Sequence, residues 1–91
     1  MSDGPEGDLW PIQPSDGAAD VLSDPHLSAS QFSKIVVLTV AIAKDPWLPG
    51  SRPAGPDPNW RTLPIPQGGG RVEYVIIKAS HSVILTRIVP F

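Results

Sequence analysis

Apolar residues fill the middle of the chain from Ile35 to Ala43 almost without interruption. Many of them are β-branched, which favours a strand, but each costs only a few tenths of a kcal/mol in a helix. The residues in front of this run carry a helix start signal. Ser28 followed by Gln31 is a capping box, and Leu27 and Phe32 stand at the positions of a hydrophobic staple. We therefore predict one helix over residues 28–44, against its β propensity.

This helix is apolar nearly all round. One set of residues repeats at helical spacing, and a second set forms another apolar face: Ile35, Leu38 and Ile42 in the first, Val36, Val40 and Ala43 in the second. Such a helix is expected to be buried on more than one side. The pair Asp45-Pro46 ends it.

The last third of the chain alternates with the period of a strand. In residues 71–78, one face receives Val72, Tyr74 and Ile76, and the other receives Arg71, Glu73, Val75 and Ile77. In residues 83–89, Ile84, Thr86 and Ile88 alternate with Val83, Leu85, Arg87 and Val89. A short polar turn joins the two runs, which predicts a β-hairpin.

The remaining segments complete an α+β domain. An apolar stretch at 9–12 contains Pro11 and is predicted as an edge strand, and a short helix capped by Ser15 or Asp16 follows it. Residues 46–59 hold five prolines and are predicted as a restrained loop, and a strand at 60–65 leads to the glycine turn 68–70. The order β-α-α-β-β-β predicts a small twisted antiparallel sheet with two helices packed on one face.

Length and composition limit the chain further. Its 91 residues make one small domain, which we place at 9–91 behind a disordered acidic arm at 1–8. Residues 1–33 hold six acids and no Lys or Arg, whereas residues 34–91 carry a net charge of +4. There is no Cys, the two His have no metal-binding spacing, and we expect no metal, nucleotide or flavin cofactor. The longest near-apolar run has nine residues, so we expect no membrane span. The first thirty residues are acidic and carry no Lys or Arg, so we expect no signal peptide.

Several stretches, in their order, resemble the toxins of the RelE/ParE superfamily, which belong to type II toxin–antitoxin systems. They are A-A-D-V-L, a long helix ending K-D-P, the loop G-S-R-P, W-R-T-L, G-R-V-E-Y-V-I and V-I-L-T-R-I. The resemblance covers residues 9–91. It implies a bacterial cytoplasmic protein with a cognate antitoxin as its partner. It implies either ribosome-dependent mRNA cleavage, as in RelE-like members, or inhibition of DNA gyrase, as in ParE-like members.

The resemblance also implies candidate site residues. Arg71 and Arg87 stand at the family's arginine positions in the last two strands, and Arg61 follows Trp60 where a basic residue is frequent. If all three converge on one sheet face, they would form a phosphate-binding site, because a guanidinium presents a fork of five donors. The alternative is that the three are solvated strand arginines, with Arg71 or Arg87 paired to Glu73.

Other residues leave open whether the chain is an enzyme. After Arg87 the chain reads I-V-P-F, without the His or Tyr that nuclease members often have there. We expect Tyr74 in the core, and His26 and His81 in solvated loops. The chain could therefore be a non-catalytic ParE-like gyrase inhibitor, or a small adaptor that forms a homodimer through its second helix. The three tryptophans, Trp10, Trp47 and Trp60, could stack on bases or hold loops in place, Trp47 on the proline-rich loop.

Overall fold

The computed structural model of the protein describes residues 9–91. The predicted disordered arm at 1–8 lies outside the described residues. There are two helices, α1 (Asp16–Leu22) and α2 (Ala29–Lys44), and a 3₁₀ turn at Lys78–Ser80. The strands are β1 (Ile12–Pro14), β2 (Arg52–Pro53), β3 (Trp60–Ile65), β4 (Gly70–Ile77) and β5 (Ser82–Pro90).

The strands form one sheet in the order β1-β5-β4-β3-β2. The pairs β5–β4, β4–β3 and β3–β2 are antiparallel, and the helices lie on one side, so the predicted α+β fold is confirmed. Two details differ from the prediction. β1 pairs parallel to β5, which its distant position in the chain allows because no hairpin joins the two strands. The proline-rich segment, predicted as a loop only, contributes the two-residue strand β2.

The predicted start of α2 is confirmed in detail. Ser28 is the N-cap residue, and its Oγ accepts a hydrogen bond from the Gln31 amide at 3.0 Å. In return, Gln31 Oε1 accepts one from the Ser28 amide at 3.1 Å. Both side chains thus satisfy amides that the first helical turn leaves without an intrahelical partner.

α2 is buried on one side only, so the expectation of burial on several sides was wrong. Ile35 and Ile42 pack into the core, because the sheet covers that flank of the helix. On the outer flank four large apolar side chains remain 42–66% exposed, and we call them the α2 strip: Phe32, Val36, Val37 and Val40. The described residues include no helix that is long and apolar enough to cross a membrane.

The core lies between the helices and the sheet. It contains the predicted inner face of β4, where Val72, Tyr74 and Ile76 are all buried. Leu63, Ile65, Val83, Leu85 and Ile88 join them from the neighbouring strands. The Tyr74 hydroxyl donates to the carbonyl of Pro46 at 2.6 Å, so the buried phenol has a partner.

A β-bulge in β5 changes its predicted alternation. Glu73 pairs with Arg87 and the next residue of β4, Tyr74, pairs with Leu85, which leaves Thr86 as the extra residue. Beyond the bulge the two faces of β5 exchange. Ile88 is therefore buried on the side of Leu85, and Arg87 is exposed, whereas simple alternation had grouped Arg87 with Leu85.

The start of β4 requires glycine. Gly70 has φ of 109°, a conformation that side chains rarely adopt, and a Cβ there would overlap the carbonyl oxygen of Val89. This close approach fixes β4 against the end of β5.

Candidate functional site

The sheet face opposite the helices, which we call the open face, carries a line of polar residues across four strands. Residues that pair directly across strands point to the same side of a sheet. Arg52 pairs with Thr62, Thr62 with Glu73, and Glu73 with Arg87. These four residues, one from each of β2 to β5, form a single row that we call the cationic row.

Arg71 extends the cationic row along β4. It stands two residues before Glu73, on the same face, and its Nε donates to Glu73 Oε2 at 3.1 Å. This ion pair is partly exposed and contributes little to stability. It does hold the Arg71 guanidinium beside the row, while the other guanidinium donors stay able to bind a ligand.

The charges of this surface do not cancel. Arg52, Arg71 and Arg87 are all exposed, and Glu73 is the only carboxylate among the cationic row and Arg71. Three guanidiniums around one carboxylate leave a positive surface that can bind a phosphate-bearing ligand.

Arg61 lies on the opposite face, so the three predicted arginines do not converge. It pairs with the buried Tyr74, and its guanidinium donates hydrogen bonds to the proline-rich segment. Nε donates to Ser51 Oγ at 2.9 Å, Nη1 to the Pro58 carbonyl at 2.9 Å and Nη2 to the Ser51 carbonyl at 3.2 Å. The reason is alternation along β3, which sends Trp60 and Thr62 to the open face and Arg61 to the other.

Arg52 takes the place that Arg61 was expected to fill. Its position could not be read from the chain, because a two-residue strand inside a proline-rich segment has no hydrophobic alternation to reveal it. The G-S-R-P stretch that carries Arg52 was nevertheless one of the stretches resembling the RelE/ParE toxins, and this was the available signal.

No histidine or tyrosine belongs to the cationic row. Tyr74 is fully buried in the core, as predicted, and burial raises the pKa of its phenol while the hydrogen bond with Ser51 and the charge of Arg61 oppose the rise. His26 is exposed, and its Nδ1 lies 3.2 Å from Asp24 Oδ1. The backbone amide of His26, and to a lesser extent its ring, lower the pKa of the Asp24 carboxyl. His81 is exposed in the turn before β5, and its ring stacks on Trp10 with centroids 3.8 Å apart.

The three tryptophans divide into two groups. Trp10 packs edge-on against Trp47, with ring centroids 5.5 Å apart, and donates its amide to the Ala43 carbonyl at 2.8 Å. These two rings hold the start of the proline-rich segment near the end of α2. Trp60 is different, because it pairs with Val75 on the open face and is 46% exposed.

Within residues 9–91 there is no group of three or more His, Asp or Glu side chains that could hold a metal ion. Besides its guanidiniums, the open face presents the Glu73 carboxylate, the Thr62 hydroxyl and the exposed indole of Trp60.

Comparison with known proteins identifies the fold. No family model matches the sequence, and no curated protein matches it. A chain of the toxin–antitoxin complex RelBE2 from Mycobacterium tuberculosis superposes with a TM-score of 0.72, covering 91% of this chain and 92% of that chain. The chain has a RelE-like fold. At 15% identity, the likeness confirms the predicted fold and shows the architecture alone.

Proposed function

We propose that the chain is the toxin of a toxin–antitoxin pair and acts on translation by cleaving mRNA on the ribosome. The observation that carries the proposal is the set of three exposed arginines on the open face of a RelE-like fold. The similar solved structure is itself a toxin–antitoxin complex. The site of action would be the bacterial cytoplasm, where ribosomes are.

The open face offers part of the chemistry of RNA cleavage. The substrate supplies its own nucleophile: the 2′ oxygen forms a bond to phosphorus, the bond from phosphorus to the 5′ oxygen breaks, and a cyclic phosphate and a 5′ hydroxyl result. Arg71 and Arg87 would stabilise the extra negative charge on the phosphoryl oxygens. Arginine stays protonated in proteins and therefore cannot act as the base. Glu73, the carboxylate beside Arg71 and Arg87, would accept the 2′ proton. The proton for the leaving oxygen would come from water or from groups of the ribosome.

The α2 strip supports a protein partner. Four neighbouring apolar side chains that are 42–66% exposed are unusual on a monomeric surface and are typical of an interaction site. We propose the cognate antitoxin as this partner. A homodimer through α2 is the alternative. A dimeric mass of the purified chain in solution would favour the homodimer over the antitoxin.

A non-catalytic ParE-like inhibitor of DNA gyrase is the second candidate, because the cationic row lacks the His or Tyr of many nucleases. Controlled expression of the chain in a bacterial host separates the two. Arrest with new mRNA 5′ ends inside reading frames supports ribosome-dependent cleavage. Arrest with an SOS response and intact mRNA supports gyrase inhibition, and normal growth contradicts the toxin proposal.

A further inference from the structure

A second line of residues crosses the open face beside the cationic row. Trp60 pairs with Val75, Val75 with Ile84, and Ile84 with Gln13. These four residues therefore point to the same side of the sheet as the arginines. We call this line the aromatic row, since Trp60 is its largest and most exposed apolar member.

The two rows are adjacent. Val75 follows Glu73 by two residues along β4, and Trp60 precedes Thr62 by two residues along β3. At a rise of about 3.3 Å per residue, the two rows lie about 6.6 Å apart. A surface that holds phosphates on the cationic row thus brings the attached bases over the aromatic row.

Among residues 9–91, the exposed indole of Trp60 makes no contact with another aromatic ring or with a cation, unlike the other two tryptophans. Trp10 and Trp47 contact each other, Trp10 stacks on His81 and Lys78 lies over Trp47, whereas Trp60 is 46% exposed on the sheet face away from α1 and α2. Leaving a large apolar ring in water sacrifices the free energy of burying it. Next to guanidiniums, such a ring is the arrangement by which proteins bind single strands, with phosphates on the cations and bases stacked on the aromatic ring.

The far end of the aromatic row opens into a groove of about 530 Å³ beside Gln13. Ile77 and Ile84 supply apolar surface there, and Gln13, Ser80 and Ser82 supply an amide and two hydroxyls. Apolar side chains together with a few polar groups in one groove suit a planar ring with hydrogen-bonding edges.

We propose that the aromatic row is a base-binding surface for a single-stranded nucleic acid, with Trp60 as its stacking residue and the groove beside Gln13 as a second base site. The inference rests on the proposed function, since it takes the phosphates to lie on Arg52, Arg71 and Arg87. It adds a class of contact that the arginines cannot provide, because guanidiniums on phosphates position a strand and bases supply sequence preference.

The test measures binding of a fluorescently labelled single-stranded RNA by anisotropy, with single-stranded DNA of the same sequence and an abasic strand of the same length as further probes. The variants are Trp60→Ala and Trp60→Phe, with Trp47→Ala as the matched control, since Trp47 is also exposed but lies off the open face. Urea midpoints establish that each variant is folded. The DNA probe distinguishes a general single-strand surface from one that requires RNA.

We expect Trp60→Ala to weaken RNA binding by about 5- to 150-fold, the factor that corresponds to stacking of one base. Trp60→Phe and Trp47→Ala should stay within about threefold of the wild type, since a phenyl ring still stacks and Trp47 is not involved. The slope of affinity against salt should be unchanged in Trp60→Ala, because it removes no phosphate contact. The abasic strand should bind wild type and Trp60→Ala equally.

Three results would overturn the inference. Trp60→Ala could bind RNA as tightly as the wild type, the wild type could bind the abasic strand as tightly as RNA, or the wild type could bind no probe at all. None of these decides the proposed function, which growth arrest and the mapping of mRNA ends test separately. If Trp60→Ala abolished arrest but left RNA binding intact, Trp60 would contact a protein of the target, and the inference would be wrong.

Discussion

Glu73 and Arg87 face each other across β4 and β5 because Thr86 is the extra residue of a bulge. Without the bulge, Arg87 would share the buried face with Leu85, and the positive charge would lie in the core. The bulge thus aims Arg87 at the open face, where Glu73 and Arg71 are. A local irregularity of one residue assembles the proposed site, in keeping with the frequent position of bulges beside functional sites.

The hydroxyl of Thr86 is buried without a hydrogen-bond partner among the described residues. We expect Thr86→Val to raise the free energy of unfolding by about 1 kcal/mol, because it removes the cost of burying an unsatisfied hydroxyl. Thr62→Val is the control, because Thr62 Oγ1 donates to the Val72 carbonyl at 3.3 Å and this variant should lose stability. Urea unfolding measures both. A destabilised Thr86→Val protein would mean that the hydroxyl has a partner.

The capping box at the start of α2 should be measurable by itself. We expect Ser28→Ala to lower the free energy of unfolding by about 1 kcal/mol, since the Gln31 amide loses its acceptor. Ser30→Ala is the control. Ser30 is exposed and stands two residues after Ser28, so its substitution should change the free energy of unfolding little. Equal stability of Ser28→Ala and the wild type would show that water replaces the cap at no cost.

Arg61 should affect stability and leave the function of the open face intact. Arg61→Ala removes three hydrogen bonds to Ser51 and Pro58, and we expect it to lower the free energy of unfolding by about 1–2 kcal/mol. At temperatures where the variant is folded, it should still arrest growth and bind RNA like the wild type. A loss of RNA affinity in a stably folded Arg61→Ala protein would place this arginine in the site after all.

Tyr74 should make the free energy of unfolding fall at alkaline pH. Burial raises the pKa of its phenol above the ordinary value of 10.0, so the unfolded chain loses the proton first as the pH rises. Its contribution is therefore complete below pH 10 and declines above it. In urea unfolding at pH 8, the wild type should have a larger free energy of unfolding than Tyr74→Phe, because the hydrogen bond to the Pro46 carbonyl is present. This difference in stability should disappear as the pH rises above about pH 10. A difference that did not change with pH would contradict this.

Local signals predicted those parts of the structure that local chemistry determines. Ser28 and Gln31 located α2 correctly although the helix is rich in β-branched residues, and the alternation in β4 predicted its buried face. The bulge at Thr86 has no such signal, because neither glycine nor proline marks it, and it depends on how β5 fits both β4 and α1. The Ser15 hydroxyl at the start of α1 donates to the Thr86 carbonyl at 3.1 Å, a contact between residues far apart in the chain.

The candidate site was predicted in part for the same reason. Arg71 lies in a strand with clear alternation, so its face followed from the sequence. Arg87 required the bulge to reach that face, and Arg52 required a pairing of β2 that only the folded sheet provides. The exposed position of Trp60 likewise followed from cross-strand register, which the order of residues along one strand cannot supply.

The most direct test of the central claim compares two double variants in the growth-arrest assay. Arg71→Ala with Arg87→Ala removes two charges from the open face, and Lys34→Ala with Lys44→Ala removes two charges from α2 on the other side of the molecule. Both proteins must first show the urea midpoint expected of a folded chain. We predict that the arginine variant no longer arrests growth or cleaves mRNA, while the lysine variant does both. Arrest by the arginine variant at the wild-type level would contradict the assignment of the open face as the functional surface.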